Sequence, residues 1–140
     1  MKRTMLSLLA CGLALPGATL AVEIRDTFVC VTQDIHVCKI FEGCTELQPI
    51  EVNAPNFWKI ELKKKQLTVR THDGAYDTTE IEQHKRVGDM ILIQSFEEEP
   101  DNFEEALAWS VAVNAMTGRM SASVSAHEEV VSLLGTCHAL

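Results

Sequence analysis

The sequence predicts an all-β domain, an antiparallel meander of about seven or eight strands that closes into a small barrel or packs as a sandwich. Three observations carry this. Apolar and polar residues alternate with period two over most of the chain from Phe57 onward. Turn signals interrupt the alternation at short, even intervals. No segment keeps the 3.6-residue period of a helix beyond a single turn at 102–108.

The strands can be placed in order. Trp58, Ile60 and Leu62 alternate with Lys59, Glu61 and Lys63, and Leu67, Val69 and Thr71 alternate with Gln66, Thr68 and Arg70. Leu107, Trp109, Val111 and Val113 alternate with Ala108, Ser110, Ala112 and Asn114. Met120, Ala122 and Val124 alternate with Ser121, Ser123 and Ser125. Successive side chains leave a strand on opposite sides, so each run has one face for a core and one for solvent. Met90-Ile91-Leu92-Ile93 is apolar on both faces and predicts a central or covered strand. Asp73-Gly74, Thr117-Gly118 and the acidic stretch around Pro100 supply the clearest turns. The Lys63-Lys64-Lys65 cluster lies between two runs and reads as a solvated turn.

Residues 30–55 break the pattern. They hold three cysteines, two prolines and Gly43. Disulfides are expected to order this region in place of regular strand pairing.

The first 21 residues read as a leader. Met1-Lys2-Arg3 is a cationic head, Met5 to Leu15 is almost purely apolar, and Thr19 and Ala21 are small residues at a peptidase exit. The run reaches at most about 17 residues with Pro16 and Gly17 inside it, short of the ~20 a membrane-crossing helix needs. Removal after Ala21 predicts a domain of residues 22–140 in the periplasm or outside the cell. A second reading takes Leu8-Leu9-Ala10-Cys11 as a lipoprotein box that would place a lipid on Cys11. Against it, only about six apolar residues precede Cys11 and no polar linker follows.

Without the leader the chain keeps 10 basic residues (Lys2 and Arg3 gone from 12) against 20 acidic ones, a net charge of −10. That balance excludes nucleic acid or an anionic membrane bound through a basic face. Cys30, Cys38, Cys44 and Cys137 remain, an even number in a small exported domain. They predict two disulfides, and their spacing fits no zinc pattern. Loop-closure entropy does not choose between the alternative pairings. Topology does, because a closing meander makes its first and last strands neighbours. Cys30 is therefore expected to join Cys137, leaving Cys38 and Cys44 to close a short loop around Gly43.

The layout resembles a group of small exported cysteine-containing β-meander proteins of alphaproteobacteria, to which no activity is attached. The matching residues are Cys30, Cys38 and Cys44, the strand–turn–strand segment Asn114-Ala115-Met116-Thr117-Gly118-Arg119, and Gly135-Thr136-Cys137 near the C-terminus.

Candidate chemistry is sparse. His36, His72, His84, His127 and His138 form no pair at metal-ligand spacing. His72 and His84 would stand about 20 Å apart across a single hairpin. Ser121, Ser123 and Ser125 share one strand face and make no nucleophile elbow. Residues 97–105 carry six acids, which could offer calcium oxygen ligands but lack the spacing of a dedicated loop. No cofactor or metal site is expected, and an enzyme ranks third among the functions. Trp58, Trp109, Phe96 and Tyr76 are candidates to line a pocket. The leading expectation is a non-enzymatic protein that binds a small apolar ligand in the barrel or an envelope protein at its rim. The alternative is an accessory or inhibitor protein acting through residues 30–55. An internal cavity above about 300 Å³ would favour the ligand, and a filled core with exposed apolar residues would favour a protein.

Overall fold

The computed structural model describes residues 23–52, 54–97 and 106–140. The expected leader, Cys11 and residues 98–105 of the acidic run lie outside the described residues.

The chain is all-β. Its strands are β1 (Thr27–Lys39), β2 (Gly43–Leu47), β3 (Pro55–Glu61), β4 (Gln66–Thr71), β5 (Tyr76–Glu80), β6 (Gln83–Val87), β7 (Met90–Glu97), β8 (Leu107–Asn114), β9 (Arg119–Ser125) and β10 (Glu129–Ala139). They form one antiparallel sheet curled into a half-barrel. Nine strands follow the order β5-β4-β3-β1-β10-β9-β8-β7-β6, and β2 pairs with β1 off that path. The two edge strands β5 and β6 are consecutive in the chain, with only Ile81 and Glu82 between them. Three peptide steps span at most about 11 Å, so the sheet curls until its edges approach there. Ile81 is fully buried at this junction and its N–H donates to the Lys65 carbonyl at 2.8 Å.

Ten strands form among the described residues where the sequence predicts about seven or eight, for two reasons. The return from the Asp73-Gly74 turn is not one strand. It breaks at Ile81-Glu82, so that its first half pairs with β4 and its second with β7. His72 and His84 therefore do not belong to one hairpin. Residues 30–55 are also largely regular, which corrects the expectation of a loop ordered by disulfides alone. β1 is the longest strand, with β10 along one side and, along the other, β3 over its first half and β2 over its second.

The alternation of β1 is concealed by a bulge. Phe28, Cys30 and Thr32 face the core, the pairing with β10 shifts between Thr32 and Asp34, and Ile35 and Val37 then take the inner side. One extra residue reverses which parity points inward. The core is continuous from strand to strand: Trp58 and Ile60, Leu67, Ile91 and Ile93, Val111 and Val113, Met120 and Leu133 form one buried cluster with Phe28 and Ile35. The inner face is thus filled by side chains.

The turns follow from their sequences. Gly74 has φ +89°, and Asp73 Oδ1 accepts from the Ala75 N–H at 3.0 Å, closing β4–β5. At β8–β9, Asn114 Oδ1 accepts from the N–H groups of Met116 and Thr117 at 3.0 and 2.9 Å, and Gly118 takes φ +70°. A side chain that satisfies its own turn is what favours Asn and Asp there. The lysine cluster is a short 3-10 turn, Leu62–Lys64, held by charge pairs: Lys63 to Asp26 at 2.6 Å and Lys64 to Glu61 at 2.8 Å.

Candidate functional site

The cysteines pair as Cys30–Cys137 and Cys38–Cys44. Each bond joins residues directly opposite one another in a ladder, Cys30 facing Cys137 across β1–β10 and Cys38 facing Cys44 across β1–β2. The bulge gives the two bonds different environments. Cys30 and Cys137 are buried, whereas Cys38 and Cys44, beyond the parity change, lie on the outer side.

The outer bond closes the hairpin tip at residues 39–43. There Phe41 is wholly exposed (104%), with Ile40 beside it at 54%. Phe41 has φ +68°, a left-handed conformation unusual for a bulky side chain. Backbone contacts fix the tip: the Ile40 N–H donates to the Glu128 carbonyl at 3.0 Å, and the Glu42 N–H to the Lys39 carbonyl at 3.3 Å. Lys39 and Glu129 pair at 3.9 Å alongside. An exposed aromatic is thus held on a strained backbone between two strands and a disulfide.

The four aromatic candidates are not gathered round one pocket. Trp58 is core, and its Nε1–H donates to Thr32 Oγ1 at 2.9 Å, which in turn donates to the Pro55 carbonyl at 2.7 Å. Tyr76 lies exposed on edge strand β5 with the Arg70 guanidinium 5.6 Å from its ring centre. Trp109 and Phe96 share an open cleft of about 390 Å³ with Gln83, Gln94 and Ser110. Trp109 is buried, and among the described residues its Nε1 has no hydrogen-bond partner.

The other candidates assemble no chemistry. Ser123 meets Ser110 across the ladder at 2.9 Å, a hydroxyl pair on a sheet face. Among the described residues no group of three His, Cys, Asp or Glu side chains could hold a metal ion. No described helix is long and apolar enough to cross a membrane.

Among the described residues two carboxylates are perturbed, both by lysine or arginine partners. A hydrogen bond from Arg86, reinforced by its charge and by Arg25, holds Glu23 below the usual carboxylate range. Hydrogen bonds from Lys64 and then Lys59 do the same for Glu61. These are structural pairs. The first ties the start of the described chain to β6, and the second fixes the β3–β4 turn.

No family model matches this chain, and no curated protein or solved structure matches it.

Proposed function

We propose that the protein is a non-enzymatic binding domain of the periplasm or the extracellular space that docks on a partner protein through the β1–β2 hairpin tip. The observation that carries this is Phe41. Its ring gains nothing from full solvent exposure, and its left-handed backbone costs about 1–2 kcal/mol. Burying a ring of this size on a partner is worth roughly 1.5–3 kcal/mol, and rigid aromatic anchors of this kind dominate binding energy. The filled inner face supports docking over a small apolar ligand held inside the barrel. Two disulfides support a working place that is oxidising.

The fitting partner is a protein with an apolar pocket for Phe41 and Ile40. A photo-crosslinking phenylalanine analogue at position 41, expressed in the natural host, is expected to give one discrete protein adduct. The same analogue at exposed Asp77 on β5 should not give it. Absence of an adduct from position 41, or the same products from both positions, would overturn the reading.

A further inference from the structure

The outer face of β7–β10 carries a second surface. Its floor is two strands wide and made only of Ala108, Ser110 and Ala112 on β8 and Ser121, Ser123 and Ser125 on β9, each directly opposite its partner. Larger residues stand on both sides. On β7, Leu92 and Phe96 are 41% and 53% exposed; on β10, Val130 and Leu134 are 39% and 45% exposed. The registers line these up in rows: Phe96, Ala108, Ser125, Val130, and four residues along, Leu92, Ala112, Ser121, Leu134. Between them runs a polar row of Gln94, Ser110, Ser123 and Ser132. Open cavities of about 370, 390 and 560 Å³ follow one another along this floor. The result is a trough parallel to the strands with a hydroxyl-lined centre, its walls apolar at both ends and polar at mid-length, where Gln94 and Ser132 stand.

Its dimensions choose the occupant. Walls three strand spacings apart stand roughly 14 Å from each other, which admits one α-helix of about 10–12 Å diameter. An extended chain would leave the walls uncovered. Eight residues of β8 give about 26 Å of length, the span of about 17 helical residues. A second copy seated on the trough alone is disfavoured by area: about 14 by 26 Å is roughly 360 Å² on each partner, below the ~1,200 Å² of both partners together in a stable interface. Charge selects further. The protein is acidic, with net charge −8 over the full chain, and Glu97 lines the Phe96 end of the trough while Arg119 lines the far end.

We propose that this trough binds a cationic amphipathic helix, with its apolar stripe between the walls and a polar residue over Ser110 and Ser123. The surface is separate from the hairpin tip and does not depend on that reading.

The test uses an 18-residue leucine–lysine model helix, its leucine–glutamate counterpart, and the isotope-labelled protein. Amide shifts on adding the lysine helix should concentrate on β8 and β9. Ser123→Arg, and Ser125→Arg at the exposed end of the floor, should weaken binding at least tenfold. Their melting temperatures should stay within about 2 °C of the parent, and Phe41→Ser should bind as the parent does. Shifts scattered elsewhere, equal affinity for the glutamate helix, or full affinity in both arginine variants would overturn the proposal. So would a dimer that already covers the face.

Discussion

Gly135 lies against the backbone carbonyl of Val31, so close that a methyl group on its α-carbon would have to displace that oxygen. The contact falls where the β1–β10 pairing changes step: Val31 pairs with Thr136, Thr32 with Gly135, and the extra residue Gln33 follows. Only a residue without a β-carbon lets the bulged strand approach this closely.

Gly135→Ala is therefore expected to destabilise the fold by about 2–3 kcal/mol through overpacking against backbone and the Met120 side chain. Gly43→Ala makes the contrast. Gly43 has φ +87° with open space around it, so only its backbone conformation opposes the change, at about 1–2 kcal/mol. Urea denaturation of both variants measures the difference. A Gly135→Ala protein as stable as Gly43→Ala would mean that the bulge relaxes.

The two disulfides should contribute unequally. In the loop-entropy estimate, the bridge across a separation of 107 residues is worth about 4.8 kcal/mol and the bridge across 6 about 2.4 kcal/mol. Cys30→Ala/Cys137→Ala also leaves space in a packed core, whereas Cys38→Ala/Cys44→Ala changes an outer position. The first double variant should have the lower denaturation midpoint by a wide margin. Non-reducing peptide mapping checks the pairing itself, and a fragment joining Cys44 to Cys137 would contradict it.

The tryptophans offer a matched pair. Trp58→Phe removes a buried hydrogen bond to Thr32, while Trp109→Phe removes a buried donor that has no partner among the described residues. Leaving such a donor unsatisfied costs roughly 1–3 kcal/mol, and its removal offsets the lost packing. Trp58→Phe should accordingly be the more damaging change by about 1–2 kcal/mol. Equal losses would show that the Trp109 indole is satisfied in solution.

Acid should weaken the fold through Glu23 and Glu61. Both carboxyls have folded-state values below their ordinary ones, so the stability they give is complete above the unfolded value near 4.5. It is lost as the pH falls through the lowered folded values. Melting curves at pH 5 and pH 3 should show a drop, and Glu61→Gln and Glu23→Gln should each make that drop smaller. An unchanged drop in both variants would assign acid sensitivity to other groups.

Much of the fold was legible in the sequence, where period-two runs such as Trp58 and Ile60 or Val111 and Val113 mark inner faces. β1 was not, because its inner residues change parity at Gln33 and the polar pair Gln33-Asp34 sits at the break. A parity reversal looks like irregular chain until the partner strand is seen. The binding surfaces were less legible still. Phe96 and Val130 are far apart in sequence and flank one trough only because β8 and β9 fill the space between them. Nor does the alternation that marks Trp58 and Trp109 as inward residues tell which indole finds an acceptor.

The position of β1 and β10 at the centre of the sheet sets when folding can be completed. The first and last of the described strands are each other's longest partners, so the seam that joins the two halves of the sheet cannot close before the last described strand is made. Contacts of such long sequence separation form late and slowly. Until then the β1-β3-β4-β5 and β9-β8-β7-β6 halves have no strand pairing between them. For a protein proposed to leave the cytoplasm, the β1–β10 seam would be the last part of the sheet to close, and oxidation of Cys30 with Cys137 would then mark the finished product.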